Sequence, residues 1–234
     1  MSPERIHAED CRPPELVIVG SPGGGRRILT LLDRGDEAVY RTLVGRVADV
    51  VERALPHAVL GNRVAGGPGI ALLPWRPAWR RLLAERRALS ARGSVLLHAD
   101  VRKCYASIAG VAVDRALQRL GADRDDRRAI GRQLGRFQDQ GVPGLPIGPD
   151  PSAVLANAVL MDADLAFDEA GCPHLRWVDD VWAAAPNRDR AERALDLLRS
   201  ALERIGLAVN EDKTCVVDAG AAGSILGGAS GPRL

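Results

Sequence analysis

Lysine is nearly absent from this chain. Of 32 basic residues 30 are arginine, and only Lys103 and Lys213 break the pattern. Aromatics are as scarce, with four Trp, two Tyr and two Phe in 234 residues, so the core must be built from Leu, Val, Ile and Ala. No apolar run reaches the ~20 residues that cross a bilayer, which argues against a membrane protein. The start of the chain carries Glu4, Glu9 and Asp10 ahead of its first short apolar stretch, so no signal peptide is expected. Cys11, Cys104, Cys172 and Cys215 are scattered without a C-x-x-C pair, which argues against a zinc ribbon or a disulfide scaffold. A reduced, cytoplasmic setting is expected.

What is present is a globular composition, 46% hydrophobic and 26% charged, and not a disordered one. The net charge of +2 is unevenly spread. Residues 1–99 hold 15 Arg against 10 acids, and residues 100–234 hold 17 basic residues against 20 acids. A basic front beside a faintly acidic back fits a phosphate-facing surface next to a metal-binding one, or equally a chance excess of a few charges.

The chain reads as a succession of short elements. LVIVG (16–20) and RRILTLL (26–32) flank the turn SPGGG and predict a hairpin. Residues 36–55 carry apolar side chains at helical spacing and stop at Pro56. Residues 61–74 are Gly-rich and irregular. WRPAWRRLLAERRALSAR (75–92) predicts a helix with six Arg against one Glu and an Arg-coated face, usually a merely solvated one. SVLLHAD (94–100) is a buried strand ending in a carboxylate, 111–137 is helical, and GVPGLPIGPDPS (141–152) is a loop. Residues 152–167 predict a helix with Ser152 as N-cap. In 174–185 two apolar runs joined by Asp179-Asp180 predict a tight hairpin. Residues 188–205 form an amphipathic helix with Gly206 at its C-terminus, followed by strand pieces at 207–210, 214–218 and 224–228. From residue 95 this order matches an α+β fold, a ferredoxin-like split β-α-β sheet with helices on one face.

That topology brings the end of the 94–100 strand beside the hairpin, so Asp100, Asp179 and Asp180 would converge at one sheet edge. Each alone is ordinary strand-end or turn chemistry. Together, three close carboxylates repel and call for cations. Hard oxygen ligands with open positions suit Mg²⁺. Two such ions about 3.5–4 Å apart can clamp an in-line phosphoryl transfer.

These residues resemble the reverse transcriptase family. LLHADVRKCYASI (96–108) is similar to its motif A, GLPIGPDPSAVLANAVL (144–160) to motif B, RWVDDVWA (176–183) to motif C, LERIGLAVNEDKT (202–214) to motif D and SILGG (224–228) to motif E. GGGRRILTLLDRGDEAVYRTLVGRV (23–47) resembles the segment carrying a nucleotide-binding arginine. The resemblance implies a polymerase palm with short fingers and no thumb: fingers over 1–94, palm over 95–218, and a motif E-like hairpin and tail over 219–234. It also implies roles. Asp100 and Asp179, with Asp180 and the Val101 carbonyl, would hold two Mg²⁺, or Mn²⁺ in their place. Tyr105 would stack under the incoming sugar and reject a 2′-hydroxyl. Arg26 or Arg27 would grip the triphosphate, since strand alternation puts only one on the site face. Gly148 would let the backbone approach the new base pair, and Lys213 would protonate the leaving pyrophosphate.

The implied activity is RNA-directed DNA polymerisation, with dNTPs, an RNA template and primer, or a structured noncoding RNA, as partners. A thumb would come from another chain, belong to a longer form of this one, or be dispensed with for short products. Ile147 stands where retroviral enzymes have Gln, and this loop is similar to those of bacterial defence-associated, abortive-infection-type enzymes; Trp177 replaces the usual Tyr of motif C. Template-independent DNA synthesis by the same site is one alternative. A non-catalytic RNA-binding palm subunit is another.

Overall fold

In a computed structural model the described residues are 12–20, 26–67 and 69–221, with Arg27 and Ala221 described by their backbone alone. Strands β1 (Glu15–Gly20) and β2 (Arg26–Leu31) pair antiparallel, with Ile18 opposite Ile28 and Leu16 opposite Thr30. Helix α1 (Arg34–Ala54) starts at the N-cap Asp33, whose carboxylate accepts from the Gly35 N–H at 2.8 Å. Asp36 and Glu37 in its first turn complement the helix dipole. Its stripe of Tyr40, Val44, Val47, Ala48 and Val51 is buried.

Helix α2 (Trp75–Ser90) precedes β3 (Val95–Asp100), and three helices follow: α3 (Cys104–Ser107), α4 (Gly110–Arg119) and α5 (Arg124–Asp139). The single helix expected over 111–137 is thus two. Gly121, at φ 77°, turns the chain, and Asp123 caps α5 by accepting from the N–H groups of Asp125 and Asp126.

Helix α6 (Asp150–Glu169) is buried along nearly its whole length, as a helix apolar all round should be. It begins earlier than its apolar run, at Asp150 after Pro149. Ser152 is therefore inside the helix and not its cap: it is fully buried, and its hydroxyl bonds the Tyr40 hydroxyl at 3.0 Å. Then come β4 (His174–Trp177), β5 (Asp180–Ala185), α7 (Arg188–Arg204), a 3₁₀ turn at Glu211–Lys213 and β6 (Cys215–Asp218). Gly206, at φ 76°, ends α7 as expected. Residues 207–210 contribute only a bridge from Val209 to Val101. The piece at 224–228 lies outside the described residues.

The four-stranded sheet runs β4-β5-β3-β6, all antiparallel, which is the expected split arrangement. Alternation along β3 divides the core in two. Val95, Leu97 and Ala99 join α1, α4, α5, α6 and α7 in one large aliphatic cluster. Leu96 faces the other way with Trp177, Trp182 and Ala184, against Leu82 and Leu89 of α2. Helices therefore cover both faces of the sheet, not one. The arginine-rich α2 is the second lid, and it turns Arg86 inward, its guanidinium carbon 4.3 Å from the Trp182 ring centre. No described helix is long and apolar enough to cross a membrane.

Candidate active site

β3 delivers Asp100 to the sheet edge because its apolar side chains are buried on both faces, and the acid comes where that burial ends. Register places Asp100 directly opposite Asp180 of β5. Trp177 pairs with Asp180, so the hairpin loop is Val178-Asp179. The sequence suggested Asp179-Asp180 as the loop; Asp180 instead opens the strand. Val178 has φ 58°, a left-handed conformation rare for a β-branched residue and usual for glycine at the first position of a II′ turn. Such strain costs about 1–3 kcal/mol and persists only where surroundings enforce it.

The three carboxylates have different surroundings. Asp100 is buried and doubly held: Asn210 Nδ2 donates to one oxygen at 2.8 Å, and Lys213 Nζ to the other at 3.0 Å. Asp179 is pushed up to about 7, first by burial and then by the charges of Asp180 and Asp100, with Lys213 opposing. Asp180 meets His98 Nε2 at 3.0 Å. Burial alone would pull Lys213 down; its bond to Asp100 and the three acids outweigh that and raise it.

Of the remaining expected residues, Val101 and Tyr105 lie beside this edge, while Gly148 belongs to the motif B loop and Arg26 to the β1–β2 hairpin. The Val101 N–H donates to the Asp179 carbonyl at 3.2 Å. Tyr105 is half-buried; its phenol, raised by burial above all, accepts from Asn62 Nδ2 at 3.3 Å. Its carbonyl accepts from the Leu145 N–H at 2.8 Å, tying motif A to the motif B loop. Gly144 packs on that same backbone, where a Cβ would stand 2.4 Å from the Tyr105 carbonyl oxygen. Gly148 is at φ 124°. Beside it Ile147 exchanges two bonds with Thr30, N–H to hydroxyl at 3.2 Å and carbonyl to N–H at 2.8 Å. The hairpin is thereby fastened to the motif B loop. Arg26 is exposed and shares its strand face with Thr30, by alternation along β2.

Several residues at the site were not singled out from sequence. Asn210 clamps Asp100. His98, one turn of the pleat before Asp100, meets Asp180. Arg176, wholly buried, forks onto Asp164 at 2.8–3.1 Å and also reaches Asn157. An arginine in an apolar strand, and Asn157 and Asp164 two turns apart in an apolar helix, were the available signals.

Among the described residues no group of three His, Cys, Asp or Glu side chains is already closed around an ion position. The donor set nonetheless fits a hard divalent cation. Asp100 and Asp179 would offer carboxylate oxygens, and the upward push on Asp179 by burial and two neighbouring acids is what a cation would relieve.

The profile of the family described as reverse transcriptase (RNA-dependent DNA polymerase) matches residues 24–227. The chain belongs to that family. Among solved structures it is similar to telomerase of Candida tropicalis, with a TM-score of 0.62 at 14% identity over 95% of this chain and 46% of that one. A C-terminally truncated form of that telomerase gives 0.59 at 17%, covering 90% and 51%. Telomerase of Candida albicans, solved with a fragment of telomeric RNA, gives 0.58 at 13%, covering 87% and 41%. These likenesses show a shared polymerase fold. By sequence it is also 27% identical over 182 residues to UvrABC system protein C of two Halobacterium salinarum strains, covering 75% of this chain. The chain spans 30% of that protein's length and about half or less of the telomerase chains.

Proposed function

We propose that this reverse transcriptase-family chain is an RNA-directed DNA polymerase, extending a 3′-hydroxyl with deoxynucleotides. The observation that carries the reading is the edge shared by Asp100 and Asp180, in register across β3 and β5, and by Asp179 in the adjoining turn, with Lys213 bonded to Asp100. Asp100, Asp179 and the Val101 carbonyl would hold two Mg²⁺, or Mn²⁺, with Asp180 as the accompanying carboxylate. Bound there, the metal would supply Lewis acidity to the attacking and leaving oxygens.

The chain's own residues do the rest. Tyr105 places its ring under the incoming sugar, where a 2′-hydroxyl would collide with it. Gly148 leaves room for the new base pair. Arg26, exposed on the Thr30 face of β2, would grip the triphosphate; its place on that face favours it over Arg27. Lys213, held at Asp100, would donate a proton to the leaving pyrophosphate. In this reading 1–94 act as fingers and 95–218 as palm.

An RNA partner suits α2, whose Arg76, Arg80 and Arg87 are exposed and lie within about 40° of one another on the helix. The likeness of the 144–148 loop to abortive-infection enzymes supports a role in bacterial antiphage defence.

The test is dNTP incorporation with Mg²⁺ by purified protein carrying its co-purifying nucleic acid. Asp179→Ala with Asp180→Ala should abolish it, and equal incorporation by that variant overturns the reading. Sequencing the product against the bound RNA separates copying from untemplated synthesis, for which a homopolymeric tract would speak.

A further inference from the structure

The turn that presents Asp179 is strained at Val178, and three contacts hold it there. Arg176 Nη1 donates to the Val178 carbonyl at 3.0 Å. The Val101 N–H holds the Asp179 carbonyl. Gly61 presses from outside, so close that a Cβ on it would stand 2.9 Å from the Val178 nitrogen and 3.2 Å from Cγ2.

Arg176 is also the hub of a buried polar chain. Its Nε and Nη2 fork onto Asp164 of α6, and its Nη1 donates to Asn157 Oδ1 at 2.8 Å. Asn157 Nδ2 in turn donates to the carbonyls of Gly61 and Asn62, at 3.2 and 3.1 Å. Asn62 Nδ2 reaches the Tyr105 hydroxyl. The 58–62 segment also runs alongside β4, bonding Arg176 through the Ala58 carbonyl and the Leu60 N–H, both to its backbone. One connected set thus links α6, the metal-facing turn and the aromatic of motif A.

We propose that Arg176 is a positioning residue: with Asn157 it fixes the Val178-Asp179 turn, and so the direction of the Asp179 carboxylate, and through Asn62 it holds Tyr105 in the same frame. The purpose assigned to that carboxylate rests on the polymerase reading; the positioning does not. Only a planar guanidinium can fork onto one carboxylate while a third nitrogen serves an amide and a backbone carbonyl. A lysine keeps the charge facing Asp164 and loses that span.

The experiment measures Mn²⁺ binding by the electron paramagnetic resonance of free Mn²⁺, on the full chain, beside dNTP incorporation. Asp179→Asn should remove the site. Arg176→Lys should weaken Mn²⁺ roughly 10–100-fold, the usual cost of losing a group that orients a metal ligand. Gly61→Ala pushes the same turn without touching the ion pair and should weaken it likewise. Leu198→Ala, a cavity variant on α7, should lower the melting temperature and leave Mn²⁺ affinity within about twofold, which separates positioning from stability. A folded Arg176→Lys with wild-type Mn²⁺ affinity overturns the proposal. So does wild-type affinity in Gly61→Ala, should Arg176→Lys fail to fold, or a wild-type chain with no Asp179-dependent Mn²⁺ site. Mn²⁺ affinity that depends on Arg176 in a chain that incorporates no dNTP would sustain the proposal and sink the polymerase reading.

Discussion

Substituting Asp164 by Asn tests how the hairpin that carries Asp179 is supported. Asp164 and Arg176 are 1% and 0% exposed, so water cannot replace a lost partner. Three contacts of 2.8–3.1 Å join the two side chains, and His174 Nε2 adds one at 3.3 Å. An asparagine keeps the shape but removes the charge, and turns a donor toward the guanidinium. Removing one partner of a buried pair costs about 3–5 kcal/mol, because the other charge stays buried uncompensated. That is a large share of a typical folding stability of ~5–15 kcal/mol. At ~2–4 °C per kcal/mol for a chain of this size, the melting temperature should fall by roughly 6–20 °C.

Urea unfolding followed by far-ultraviolet circular dichroism reads the free energy directly. Adding Arg176→Met should cost less than the sum of the two single losses by roughly 1–3 kcal/mol. The recovery is partial, since Asn157 and the Val178 carbonyl also lose their donor. Acid gives a second handle. Burial alone would raise Asp164, but the Arg176 charge and the bonds from His174 and Arg176 outweigh it and hold the group low. A depressed carboxyl contributes stability that is fully present above its unfolded value of about 3.9 and lost as pH falls through the folded one. Wild-type stability should therefore drop more steeply below about pH 4 than that of the Asn variant. A loss under about 1 kcal/mol, or equal acid slopes, would refute the account.

Three further outcomes are expected. Tyr105→Ala should raise ribonucleotide use relative to deoxynucleotide by at least about tenfold, or ~1.4 kcal/mol, in competition assays. Tyr40→Phe strands the buried Ser152 hydroxyl and should cost about 1–3 kcal/mol in urea unfolding. Adding Ser152→Ala to it should cost little more. Replacing Arg76, Arg80 and Arg87 by Gln should flatten the slope of log affinity for RNA against log salt by roughly 2–3, as the loss of three phosphate contacts requires. An unchanged slope would place the RNA elsewhere.

What could be read from the sequence, and what could not, divides along sequence distance. The sheet order and the edge formed by Asp100, Asp179 and Asp180 follow from local signals: apolar runs of strand length that stop at acids, in an order few topologies accommodate. The misplaced details are local competitions. Asp150-Pro151 can open a helix as well as Ser152 can, because proline's missing N–H costs nothing in the first turn. Gly121 breaks a helical pattern whose apolar spacing runs on across it.

The supports of the site are different in kind. Asn157 and Asp164 stand seven residues apart, two turns along one face in the apolar middle of the helix, which marks a buried polar partner without saying which. That partner is Arg176 of β4, and the set closes only because the 58–62 segment, about a hundred residues earlier than Asn157 in the chain, lies against β4 and takes the Asn157 amide. The strained Val178 shows why such support is needed. A glycine there would relax into the turn unaided, and would relax out of it as readily. A valine stays only while Arg176 and Gly61 hold it, so the direction of Asp179 is set by packing that spans the chain. The residues that would do chemistry are legible because they interrupt local patterns, and the residues that aim them are not, because each satisfies a partner that only the fold brings near.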